Sequence, residues 1–218
     1  MKIPSIPTKG RTLNYAAPVY DILEPLCLLN RQAEYDTVLI NALAPKPTDI
    51  ILDLGCGTGL LCQQISNLLD PGQGGCVTGI DAAGNMIEAA REKRGSPHCR
   101  FEAMAAEKLA FDDIAFDAVI SSLFYHHVPL DLKQQSLQEA FRVLKPGGRL
   151  VIADMDKPTT FIGALVSHAS RWLFMQPQIG ENIRGVLPKL IIDVGFKPPQ
   201  TVAHYFGYIS VFTTTKPL

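Results

Sequence analysis

The stretch ILDLGCGTGLL, Ile51 to Leu61, restricts the folds open to this chain more than any other. Apolar residues flank a single carboxylate, Asp53, and Gly55, Gly57 and Gly59 then fall at alternate positions before apolar residues resume. The pattern predicts a buried strand, a bare turn and the start of a helix. Glycine tolerates positive φ and has no Cβ, so the turn can be tight and a ligand can lie directly against the main chain. The helix that follows begins with N–H groups that have no intrahelical partner.

The rest of the chain repeats this theme. From Tyr15 to about Leu43, Val19, Ile22, Leu23, Leu26 and later Val38, Leu39 and Leu43 recur at helical spacing, and Pro45 and Pro47 end the run. Beyond them, strands are predicted over 50–54, 77–80, 99–103, 118–121, 150–153 and 208–214. Helices are predicted over 60–69, 86–94, 132–144, 161–175 and 186–194. Alternating helices and fully apolar strands imply an α/β fold, a parallel sheet with helices on both faces. In such sheets ligands bind beyond the carboxyl ends of the strands. The 218 residues suffice for one domain and are too few for two ordinary ones. Residues 1–44 are read as a tail and helical cap, and 45–218 as the main body, with 157–190 as a candidate substrate-covering insertion.

Composition narrows the partners. Lys plus Arg number 20 against 21 acids, so no bulk positive charge attracts nucleic acid or an anionic membrane. Cys27, Cys56, Cys62, Cys76 and Cys99 show neither CxxC nor His-paired spacing, so no metal is expected. An odd cysteine count and an N-terminus without a signal-like apolar run lead to the expectation of a reducing, cytoplasmic setting. The most apolar segment, 161–175, contains His168 and Arg171 and is too short to span a bilayer, so no stable membrane insertion is expected. The sequence allows a homodimer without requiring one.

The first loop also discriminates between ligands. A dinucleotide pyrophosphate favours GxGxxG, whereas the spacing here is GxGxG, with Leu60 where the last glycine would fall. Asp53 would repel a pyrophosphate and attract a cationic or zwitterionic ligand. S-adenosylmethionine, with an α-amino group, a sulfonium and no phosphate, suits that chemistry; the alternative is that Asp53 only caps the turn. ILDLGCGTGLL resembles motif I of class I S-adenosylmethionine-dependent methyltransferases. GIDAAGNMIEAAR (79–91), FDAVISSLFYHHV (116–128) and LKPGGRLVIAD (144–154) resemble that family's second-, fourth- and fifth-strand motifs, in order. Tyr20-Asp21 and the stretch 195–216 are similar to the ubiquinone/menaquinone C-methyltransferases and related small-molecule enzymes, the methyltransferase type 11 group.

This resemblance implies a Rossmann-like, seven-stranded, mostly parallel sheet with helices on both faces and an antiparallel C-terminal strand. It implies S-adenosyl-L-methionine as cofactor and a small-molecule methyl acceptor. Cofactor contacts then fall on Asp53, Gly55, Cys56, Gly57 and Gly59 in the first loop, and on Tyr20 from the N-terminal cap. Asp81 would take both ribose hydroxyls, with Ala82 beside it, Met86 on the adenine face and Ser121 at the fourth strand. Asp81 is otherwise read as a helix cap and Met86 as helix core. The chain departs from the family at FEAMAAEKLAF (101–111), where Ala105 replaces the acid that bonds the adenine amino group. That loss costs about 1–2 kcal/mol, roughly tenfold in affinity; the Ala106 N–H remains to bind the ring, and Glu107 stands close by.

For the chemistry, SSLFYHHV directs Tyr125, His126 and His127 toward the methyl group, with Asp154 as a second candidate base. The catalytic candidates are therefore His126, His127 and Asp154, set against a purely structural reading of the histidines. Tyr15 and Tyr20 offer rings to a sulfonium, and Leu165, Trp172, Phe174 and Met175 suggest a lid over an apolar or aromatic acceptor. The leading expectation is in-line methyl transfer to such a molecule. The alternative is a cofactor-binding protein with a non-methylating or regulatory role, and GxGxG with Asp53 disfavours a nicotinamide enzyme.

Overall fold

In the computed structural model, β1 (Ile50–Leu54) buries Ile51, Leu52 and Leu54 completely, because it lies mid-sheet with helices over both faces. Residues 2–173 and 176–218 are described, with side chains for all of them except 23, 24, 27 and 173. β1 pairs in parallel with β2 (Cys76–Asp81) on one side and β4 (Phe116–Ser122) on the other. β3 (Cys99–Ala103) adds beyond β2 and β5 (Leu144–Met155) beyond β4, again in parallel. β6 (Gln200–Tyr205) and β7 (Ile209–Thr215) complete a seven-stranded sheet of order 3-2-1-4-5-7-6, with β7 antiparallel to both its neighbours. This is the Rossmann-like sheet that the motifs imply.

The helices are α1 (Tyr20–Cys27), α2 (Gln32–Leu43), α3 (Leu60–Ser66), α4 (Gly84–Arg94), α5 (Leu130–Val143), α6 (Phe161–Leu173), α7 (Ile179–Ile183) and α8 (Val186–Val194). Tyr35 and Leu39 of α2, Ile65 of α3 and Ile87 of α4 pack on Ile51, Val77 and Ala118. Leu137 and Val143 of α5, with Leu187 and Ile191 of α8, pack on Leu52, Ile80 and Val119. Consecutive β1 residues thus enter opposite cores, as the strand period of two dictates.

One difference from the sequence reading has a plain physical cause. β6 was absent from the predicted strands: it is an edge strand whose first residues are exposed, so it carries no apolar run. The helix expected over 60–69 ends at Ser66, and of the segment 161–175, Phe174 and Met175 lie outside the described residues, as do the side chains of Leu23 and Cys27. Among the described residues no helix is long and apolar enough to cross a membrane.

Candidate active site

The bare turn between β1 and α3 has Gly55, Gly57 and Gly59 at φ +77°, +54° and +84°, a region that side chains disfavour. Space is short as well: a Cβ on Gly59 would stand 2.4 Å from the Phe101 ring. Gly79, which the sequence reading passed over, closes the loop from behind. A Cβ there would lie 2.8 Å from Sγ of both Cys56 and Cys62, so only glycine lets β2 run so near the turn. Asp81, at the end of β2, ties the two elements together. Its carboxylate accepts from Gly57 N at 3.2 Å and from Ala83 N at 2.7 Å. Burial pushes the Asp81 carboxyl above the usual range, and those two N–H bonds oppose the shift.

A pocket opens between this loop, the end of β2 and the turn after β4. Of the residues singled out in the sequence, Tyr20, Gly55, Gly57, Asp81, Ala82, Met86, Ala106 and His127 line it. Asp53, Cys56, Gly59, Ala105, Ser121, His126 and Asp154 do not. Asp53 is buried behind the loop and accepts the Cys62 Sγ–H at 3.1 Å. Burial pushes its carboxyl up to about 7, against the Cys62 bond and with help from Asp81 and Asp36. Ser121 Oγ is spent on the Leu54 carbonyl, locking β4 to β1. Cys56 and Tyr20 reach a smaller cleft behind the loop, beside Asp53.

The polar N-terminal segment lies across the mouth of the pocket. Ile6 N donates to the Ala82 carbonyl at 2.9 Å, and Arg11 N donates to the His127 carbonyl at 3.0 Å. Ser5 Oγ accepts from Gly84 N, at the start of α4, at 3.0 Å. Thr8 Oγ1 donates to Glu107 at 2.6 Å, so that carboxylate is engaged by the strap. Thr8, Arg11 and Leu13 line the pocket, and no sequence periodicity marks them.

The turn Tyr125–His127 sends its side chains in different directions. Tyr125 is fully buried in the core and does not reach the pocket, contrary to the expectation. His126 Nδ1 is 2.8 Å from Asp154 Oδ1, and Asp154 also accepts from Tyr125 N and Met155 N. His127 faces the pocket, and its Nδ1 is 3.1 Å from Gln176 Oε1, a partner not anticipated. Burial, with the positive neighbours His126, Arg11 and Lys133, holds the His127 pKa well below its ordinary value, while Gln176 opposes the shift. Lys133, fully buried, donates to Glu181 of α7 at 2.7 Å and to the Val128 carbonyl at 2.6 Å. Tyr15 is exposed, so of the two tyrosines only Tyr20 meets the pocket. Leu165 and Trp172 of α6 also point outward rather than into a cavity.

Residues 51–148 match the methyltransferase domain family, the part of the chain that builds the glycine loop, Asp81 and the turn after β4. Residues 51–148 thus belong to the methyltransferase domain family, and relatives and fold together support a class I S-adenosylmethionine-dependent methyltransferase. It is 32% identical over 152 residues to the demethylmenaquinone methyltransferase of Desulfitobacterium hafniense, covering 68% of this chain and 58% of that protein. It is 29% identical over 224 aligned positions to the ubiquinone/menaquinone biosynthesis C-methyltransferase UbiE of Geotalea daltonii, covering 92% of each. A solved S-adenosylmethionine-dependent methyltransferase from Methanosarcina mazei shares the fold, with TM-score 0.62 at 24% identity over 83% of this chain and 97% of the other. The chain spans 56–62% of the length of several curated relatives it matches.

Proposed function

We propose that the chain transfers a methyl group from S-adenosylmethionine to a small apolar or aromatic acceptor of quinone type. The observation that carries this reading is Asp81, whose carboxylate lines a pocket floored by the bare loop. The residues present fit the cofactor. Gly55 and Gly57 put bare main chain into the pocket lining, beside the Phe124 and Tyr20 rings, Asp81 offers two acceptors to ribose hydroxyls, and Met86 and Ala106 supply an apolar wall for the base. Asp53 stands behind the loop, bonded to Cys62, and is not a contact in this pocket.

The bound cofactor supplies an electrophilic methyl group: the new bond forms at the acceptor nucleophile as the C–S bond breaks, and sulfur keeps its electron pair. In-line displacement asks the protein mainly for position and dryness. The strap and Tyr20 cover the pocket, and His127 presents a neutral ring to it. Its Nε2 receives the proton that the acceptor loses. Asp154 orients His126 beside it.

Calorimetry with S-adenosylhomocysteine on the native protein and on Asp81→Ala tests the cofactor site. We expect micromolar binding that weakens about 10–100-fold in the variant; no binding by the native protein would overturn the reading. Labelled cofactor with reduced naphthoquinones then tests transfer. Ala105 and the engaged Glu107 favour a second reading, cofactor binding without transfer, and label that stays in the cofactor in the presence of every acceptor would support it.

A further inference from the structure

α6 is inside out. Its protein-facing side is small and polar, Gly163 and Ser167, both buried. Gly163 sits where a Cβ would strike the Gly207 carbonyl. Its solvent side carries Phe161, Ile162, Leu165, Val166 and Trp172, exposed by 85, 71, 61, 37 and 77%. A contiguous apolar patch of this kind marks an interaction surface. On the N-terminal cap, Tyr15, Val19 and Ile22 are exposed as well. Both segments close over the carboxyl end of the sheet: Tyr20 reaches Gly57 from one side, and Gln176, just past α6, reaches His127 from the other.

Charge selects the occupant. Residues 156–181 contain Lys157 and Arg171 with Asp156 and Glu181 at the borders, engaged by Ser210 and Lys133, and residues 1–22 contain Lys2, Lys9, Arg11 and Asp21, with Lys9 paired to Asp131 and Asp21 to Lys93 and Arg94. The acids at the borders of these segments are held by internal partners, while Lys2, Lys157 and Arg171 belong to the same segments as the exposed apolar residues. A second copy of the chain fits less well. Five side chains on one helix fall far short of the roughly 20–30 residues per partner that a stable dimer buries. An in-plane helix with aromatic and aliphatic residues beside cations is the pattern of interfacial docking.

We propose that the outward face of α6, with the exposed side chains of the N-terminal cap, docks this protein on an anionic lipid bilayer. The helix lies in the interface without spanning it. This deepens the proposed function by giving an apolar acceptor a direct path from lipid to pocket.

Trp172 is the only tryptophan in the chain, so its emission reports docking without a label. The native protein is titrated with phosphatidylcholine vesicles containing roughly one third phosphatidylglycerol. Expected results are a blue shift of the emission, co-sedimentation with the vesicles, weaker binding at high salt and weaker binding to pure phosphatidylcholine. Leu165→Asp should weaken vesicle binding about tenfold while leaving S-adenosylhomocysteine binding intact. Absence of shift and sedimentation in protein that binds S-adenosylhomocysteine would overturn docking. Equal binding to neutral vesicles would overturn the anionic assignment. A blue shift without vesicles, rising with protein concentration as the mass doubles, would give the face to a second copy. Docking and methyl transfer fail separately: transfer to a water-soluble quinol without vesicle binding sinks docking alone, and vesicle binding without transfer sinks only the catalytic reading.

Discussion

His127 Nδ1 and Gln176 Oε1 lie 3.1 Å apart, joining the turn after β4 to the segment that follows α6. An amide oxygen can only accept, so this contact places the proton on Nδ1 and leaves the Nε2 lone pair for the pocket. Gln176→Glu would set a negative charge on the same nitrogen and favour the imidazolium. The His127 pKa, now well below its ordinary value, should rise by about one to two units. The acid limb of the pH–rate profile should move toward neutrality by that amount, with KM for the cofactor unchanged. Gln176→Leu should lower kcat without that pH shift, and ring ¹⁵N chemical shifts would report the tautomer directly.

Asp53 gives the protein a pH dependence that is independent of turnover. Burial raises its carboxyl to about 7 in the folded state from an ordinary 3.8. The stability it confers is therefore full at acidic pH and is lost as pH climbs through about 7, at most about 1.4 kcal/mol per pH unit. Asp53→Asn should remove that slope. Urea unfolding between pH 5 and 8 should show the variant gaining on the native protein as pH rises; parallel curves would refute it.

The close approach of Phe101 to the loop predicts a cost for the smallest added side chain. Gly59→Ala combines positive φ with a Cβ 2.4 Å from that ring. Urea unfolding should show a loss of about 2–4 kcal/mol, with S-adenosylhomocysteine binding weakened in parallel.

Removal of residues 2–13 tests the strap. Its bonds through Ser5, Ile6, Thr8 and Arg11 span the pocket mouth. The truncated chain should release S-adenosylhomocysteine about tenfold faster or more, with the melting temperature of the domain little changed. Stopped-flow displacement measures the rate, and an unchanged off-rate would mean that the segment covers nothing the ligand uses.

What was legible in the sequence followed burial. β1, β2, β4 and β5 are apolar runs because both their faces are covered, and Asp81 stands out as an acid where such a run stops. β6 escaped because an exposed edge asks for no pattern. The strap escaped because its bonds go to residues 82, 84, 107 and 127, and long-range polar contacts leave no periodic trace. The choice between the two histidines was equally hidden. It depends on Gln176 and Asp154, brought in by segments far along the chain.

The Lys133–Glu181 pair fixes α7 to α5. Withdrawing Glu181 would leave the buried Lys133 ammonium without its counter-charge, a penalty of about 3–5 kcal/mol. The stretch that carries Gln176 to His127 is thereby held down along one hem, through Lys133 to Glu181 and through Asn182 to the Met155 carbonyl.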